Sequence, residues 1–169
     1  MDMEFRVTDA LLAARGLRKG LMELVAAPEQ EALLHDLRGY QRLDAAGGSA
    51  ANTMVGIARL GGRPLFCGKV GSDEAGERYR TSLVDAGVEA GLTAEDGPTG
   101  TCVVLVTPEG ERTMRTTLGT ASALNQADID AGAIGRSRFL YVEGYLWGGL
   151  TTQQAAVYAM RAAKAARVQ

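Results

Sequence analysis

The densest chemical content lies in Gly47-Gly48-Ser49-Ala50-Ala51-Asn52-Thr53. Two glycines let the backbone come close to a ligand. The residues after them open a helix, and its first amides point outward, where they bind oxygen atoms. Asn52 offers a donor and an acceptor, which suits a pair of hydroxyls. A bare Gly-Gly-Ser reads better as a helix N-terminus with glycines for packing. The longer string turns the reading towards a ligand loop. It is followed by Leu60-Gly61-Gly62 and then by Gly68-Lys69-Val70-Gly71-Ser72-Asp73-Glu74-Ala75-Gly76.

Other reactive side chains carry weaker signals. Arg112 reads about as well as a hairpin surface arginine, paired with Glu109 or Glu111, as it does as a functional guanidinium. Tyr145, in Glu143-Gly144-Tyr145-Leu146-Trp147, reads at least as well as an ordinary core tyrosine. Asp73 follows Ser72 at a helix start, where a carboxylate is favourable without any catalytic duty. Lys69 beside a strand end reads as solvated. Cys67 and Cys102 lie far apart with no histidine near them in sequence, and read as reduced packing thiols of a cytosolic protein. His35, the single histidine, sits on a charged helix and reads as a surface residue. No residue set has the spacing of a metal site.

The elements that must position these residues alternate. Helices are expected over 9–15, from Pro28 to Gly39, over 50–60, from Ser72 or Asp73 to Gly87, and over 151–167, with a weaker one over 125–134. Strands are expected over 20–26, 63–70, 101–107 and 139–142, with 111–118 returning as a hairpin partner after Pro108-Glu109-Gly110. This order is α/β with a mainly parallel sheet. At 169 residues the chain is one domain or part of one. Apolar residues form 46% and charged residues 22%, enough for a core. A formal net charge of −2 with no basic block argues against nucleic acid as a partner. No apolar run approaches a membrane span.

The ordered set of Gly47-Gly48, Asn52, Gly61 and Gly71-x-Asp73-x-x-Gly76 resembles the N-terminal signature of the PfkB (ribokinase-like) family of sugar and nucleoside kinases. Met54 stands where that pattern usually has a small residue. Pro98-Thr99-Gly100-Thr101-Cys102, Thr107 to Met114 and Glu143 to Trp147 are similar to the adenosine-kinase-like branch. The resemblance runs from about Leu11 to the end. It implies a three-layer α/β fold with a small β lid, whose strands would fall within residues 17–26 and 88–118. It also implies that Gly48 and Asn52, with Ser49 adjacent, hold substrate hydroxyls. Arg112 would approach the transferring phosphate, Met114 and Thr116 would line the acceptor pocket, and Tyr145 would stack on a nucleobase. The implied cofactors are ATP and Mg2+, and the implied partner is a small-molecule nucleoside or sugar. Lid strands could also pair in a homodimer.

Phosphoryl transfer needs a base aimed at the acceptor hydroxyl and amides for the developing charge. The family supplies both from an Asp-Thr-x-Gly-Ala-Gly-Asp string, which does not occur here. The family's first strand, ending in a substrate-binding Asp, is also unmatched, and that role is not transferred to Asp9. The expectation is a partial kinase domain, inactive alone and marginally stable, with its C-terminal half and first strand missing. The rival expectation is a non-catalytic sugar- or nucleoside-binding or interaction module. An unrelated dinucleotide binder ranks last, because no Gly-x-Gly-x-x-Gly follows a first strand.

Overall fold

The computed structural model describes residues 1–169. They form an α/β chain that divides into two compact units. The first comprises residues 1–47 and 100–118, the second residues 48–99 and 119–169. No helix is long and apolar enough to cross a membrane.

The first unit is built on a five-stranded sheet. Its strands are β1 (Asp2–Arg6), β2 (Met22–Leu24), β3 (Arg42–Ala45), β6 (Thr99–Val106) and β7 (Arg112–Gly119), in the order β2-β7-β6-β1-β3. β1 runs parallel to β6 and antiparallel to β3, and β2 runs parallel to β7. Helices α1 (Asp9–Ala14) and α2 (Ala27–Asp36) supply its apolar cover. Met3 and Phe5 alternate along β1 and, with Val7 just past its end, pack with Val103 and Leu105 against Leu12, Leu33 and Leu37. The period-2 alternation sends Asp2, Glu4 and Arg6 to the opposite face. Thr8 caps α1 by accepting the Leu11 amide, and Pro28 occupies the first turn of α2, where its missing N–H costs nothing.

Gln30 ties this unit together from its buried position on α2. Its amide nitrogen donates to the Thr101 and Arg115 carbonyls at 3.1 and 2.8 Å. Its amide oxygen accepts from the Thr101 and Thr117 hydroxyls at 2.7 and 3.2 Å.

The second unit holds α3 (Ser49–Arg59), the parallel pair β4 (Leu65–Gly71) and β5 (Glu89–Glu95), α4 (Glu74–Asp85), α5 (Ala131–Gly135) and α6 (Leu150–Ala165). Tyr79 and Leu83 are the buried stripe of α4, and Gly87, at φ 82°, ends that helix in a left-handed turn. Ala159 and Ala163 of α6 pack on Ile134.

Several expectations change here. A strand forms over Asp2–Arg6, where none was assigned, because Met3 and Phe5 have a core face to join. Within the ranges 17–26 and 88–118, expected for the lid strands, β2, β6 and β7 to residue 118 join β1 and β3 in one five-stranded sheet, while β5 pairs with β4. The helix expected over 125–134 splits into a 3-10 turn, Gln126–Asp128, and α5, because Asn125 and Asp130 each cap a separate start. No strand forms over 139–142. Its Leu140 amide donates to the Gln169 carbonyl at 2.7 Å and the Gln169 amide donates to the Arg138 carbonyl at 3.3 Å, two bonds that engage a single partner residue and build no ladder.

Lys69 is not solvated. Its ammonium bonds Glu95 at 2.6 Å and Asp128 at 3.0 Å, and the Lys69 and Asp128 side chains are only 5% and 9% exposed. The Glu95 bond outweighs burial and, with Asp128, lifts the Lys69 pKa above its ordinary value.

Candidate functional site

The substrate-side candidates fall into two groups, one in each unit. In the first unit, alternation along β7 puts Arg112, Met114 and Thr116 on one face and Thr113, Arg115 and Thr117 on the other. The second set faces the helices, as the bonds of Gln30 require. The first set shares its face with Cys102, because the Thr116 hydroxyl donates to the Cys102 thiol at 3.2 Å. Cys102 is the ladder partner of Asp2. Met22 and Leu24 border the group, paired with Met114 and Thr116.

Asp2 is the residue that sequence reasoning missed. Gly47 lies directly against its carboxylate, and a Cβ at Gly47 would occupy the carboxylate's place. The first glycine of the Gly-Gly pair therefore makes room for an acid 45 residues earlier in the chain. Burial raises the Asp2 pKa, against the opposing pull of the N-terminal ammonium and the Arg112 guanidinium. The same burial raises the Cys102 pKa, with Asp2 adding to it and the Thr116 bond opposing. Carboxylate, thiol and guanidinium thus share one environment. The signal for Asp2 was its alternation with Met3 and Phe5, which marks a strand.

In the second unit, Gly48 caps α3 at φ 98° and ψ 140°, a backbone conformation suited to glycine. It carries no side chain to cap the helix, so the first-turn amides of Ser49 to Ala51 are not claimed by a side-chain cap. Asn52 donates its amide to the Gly48 carbonyl at 3.0 Å, and its side chain is exposed. Gly48, Ser49 and Asn52 are therefore one local cluster of donors.

Tyr145 lies on a 3-10 turn, Gly144–Gly148, and is 73% exposed. The phenol drawn to α3 is that of Tyr141, which bonds Glu143 at 3.0 Å and also meets Thr53. Asp73 caps α4, as its sequence position indicates. Cys67 and Cys102 are free thiols, each half-buried. A depression of about 230 Å3 lined by Gln126, Gln153, Gln154, Val157, Tyr158 and Arg161 shares no residue with either group.

Residues 22–169 match the profile described as pfkB family carbohydrate kinase. The chain belongs to the pfkB family of carbohydrate kinases. Among relatives of this pfkB chain, fructokinase-2 of Zea mays is 34% identical over 128 residues, covering 73% of this chain and 38% of that protein. Probable fructokinase-6 of Arabidopsis thaliana, a chloroplastic protein, is 47% identical over 70 residues, covering 40% of this chain and 18% of that protein. Among solved structures, the adenosine kinase from Sinorhizobium meliloti superposes with a TM-score of 0.92 at 35% identity, covering 99% of this chain and 51% of that one. A probable sugar kinase from Rhizobium etli gives a TM-score of 0.91 at 29% identity, covering 99% and 52%. The pfkB chain therefore spans about half the length of these solved relatives and less than that of the curated ones.

Proposed function

We propose that the intact protein transfers the γ-phosphoryl group of ATP to a hydroxyl of a nucleoside or sugar, with this chain supplying the substrate-side half and inactive alone. The observation that carries the reading is the carboxylate of Asp2 on the same sheet face as Arg112, with Gly47 shaped around it. A partly desolvated carboxylate accepts hydrogen bonds from sugar hydroxyls; in the second unit, Asn52 offers a donor and an acceptor of its own. Arg112 is suited to negative charge that grows on a phosphoryl group. Met22, Leu24 and Met114 give this face an apolar border, which suits the flat surface of a nucleobase better than a free sugar. Tyr145, being exposed, is available to stack.

ATP would supply the phosphoryl group and Mg2+ would neutralise its oxygens. No three acidic, histidine or cysteine side chains gather here to hold a cation. Nor does the chain carry the Asp-Thr-x-Gly-Ala-Gly-Asp string from which the family draws its base. The residues of this chain thus bind and orient the acceptor and hold Arg112 ready, and no proton-abstraction step is assigned to them. The reading extends to a cytoplasmic setting, in line with the two free thiols, and to a homodimer formed through the strands of the first unit.

The test is thermal denaturation with and without adenosine, ribose or fructose, beside an assay of ADP release. The expected result is a rise in melting temperature with adenosine that needs no ATP, lost in Asp2→Asn and Asn52→Ala, with no turnover. Turnover by the chain alone would overturn the inactive-alone reading. A shift that survives both substitutions would overturn the site.

A further inference from the structure

Strand β2 is three residues long and lies at the edge of the five-stranded sheet, beside β7 alone. The segment around it reads Leu21-Met22-Glu23-Leu24-Val25, four apolar residues about one acid. Leu21, Met22 and Leu24 are all exposed. Apolar burial therefore does little to separate this register from one shifted by a single residue. The choice matters, because a one-residue slip turns every side chain of a strand to the other face. In the observed register Met22 and Leu24 pair with Met114 and Thr116, on the side that also carries Arg112. A slip in either direction would bring Glu23 to that side, with Leu21 or Val25 beside it.

One buried contact distinguishes the registers. Glu23 is the ladder partner of Arg115, and its carboxylate meets the Arg115 guanidinium at 2.7 Å. The Arg115 side chain is only 4% exposed. Its other bond goes to the Met114 carbonyl at 2.9 Å. A buried guanidinium that loses its carboxylate is strongly unfavourable. Slipping the strand would set Met22 or Leu24 against it. Arg18 bonds the second oxygen of the same carboxylate at 2.5 Å, and so steadies Glu23 without taking the oxygen that Arg115 uses. The turn before the strand offers a rival anchor. There the Gly20 amide donates to the Thr113 hydroxyl at 3.0 Å. That bond is neutral, and charged ones are about twice as strong.

We propose that Glu23 sets the register of the β2–β7 pair, and is thereby a positioning residue for the face that carries Arg112. Through Arg115 it decides that Met22 and Leu24, and not Leu21 or Val25, stand beside Met114 and Thr116. The use of these two side chains as an apolar border rests on the reading proposed for the site, whereas the register itself does not.

The test uses the full chain with Cys67→Ser and Cys102→Ser, so that only introduced thiols can join. Leu24→Cys with Thr116→Cys reports the observed register, since ladder partners lie within disulfide reach. Leu21→Cys with Met114→Cys reports a slip of one residue. Without further change, the first pair is expected to close and the second to stay open. Met22→Glu combined with Glu23→Met then moves the acid by one position. The strand is expected to follow it, so that the 21–114 pair closes about tenfold faster and the 24–116 pair slows, the equivalent of one hydrogen bond to a charged group. A relocated acid that leaves 24–116 the faster pair would overturn the proposal and assign the register to the Gly20 turn. Loss of stability alone would change both pairs alike, so the ratio of the two rates isolates register. If the relocated variant does not fold, Glu23→Met alone decides. The preference between the pairs should then disappear, and retention of the full parent preference would overturn the proposal. No ligand enters this measurement, so its outcome is independent of the adenosine-induced shift that tests the site.

Discussion

Asp2 and Cys102 stand as partners in the parallel β1–β6 ladder, with Gly47 closed against the acid. The carboxylate therefore has little room to move. Gly47→Ala is expected to push it aside, because the new methyl would take its place. The cost in stability is about 1–2 kcal/mol, the usual size of a small overpacking. The loss of any ligand-induced melting shift should be complete. Urea denaturation and the adenosine titration measure the two effects separately.

Asp2 is also expected to cost stability at neutral pH. Its pKa is raised in the folded chain, chiefly by burial, so folding favours the protonated acid. The cost is absent in acid, grows as pH rises from the ordinary carboxylate range through the folded pKa, and is full above it. Asp2→Asn should therefore melt higher than the parent at neutral pH, with the two curves converging in acid. A parent more stable than Asp2→Asn at neutral pH would contradict this.

Lys69 acts the other way at neutral pH, where its charged form stabilises the fold. Its pKa is raised by Glu95 and Asp128, so its contribution is fully present at neutral pH and is lost only as pH climbs through the folded value. The Asp128 pKa is lowered: burial opposes this, but the Asn125 amide and Lys69 outweigh it. That contribution is lost as pH falls below the carboxylate range. Lys69→Met should destabilise the chain by about 3 kcal/mol, the low end for a broken buried pair, and should flatten the acid limb of the stability profile. Guanidinium titrations across pH check both parts.

Gln30 should be as hard to replace. Gln30→Leu keeps the volume but removes the Gln30 amide from two carbonyls and leaves the Thr101 and Thr117 hydroxyls only each other, at 3.2 Å. A loss of about 2–4 kcal/mol follows from the loss of these bonds. Amide exchange should then rise at Thr101, Arg115 and Thr117 before it rises at Leu83 of α4.

Much of this architecture was legible in the residues. Helices with a clear cap or stop, such as α4 between Asp73 and Gly87, were placed to within about two residues. The hairpin announced itself through Pro108-Glu109-Gly110 between two strand-like runs. What stayed hidden depended on distant partners. The Arg42–Ala45 strand is exposed along its length and has no apolar pattern of its own, so only its pairing with β1 makes it a strand. Lys69 looked solvated because Glu95 and Asp128, which justify its burial, lie 26 and 59 residues away. The Gly47-Gly48-Ser49 segment was readable as the opening of a helix, which α3 bears out, but the purpose of Gly47 was not, since it is set by Asp2.

The ladder joining Asp2 to Cys102 spans 100 residues of sequence, and that separation bears on how the chain folds. Strands β6 and β7 are joined by a short turn and can pair early, whereas β1 must wait for a closure whose entropic cost has accumulated over that length. During synthesis Met3 and Phe5 leave the ribosome long before Val103 and Leu105 exist to cover them. The N-terminal strand therefore spends the interval as a sticky apolar segment, and its protection, whether by α1 and α2 or by a chaperone, governs the yield of folded protein.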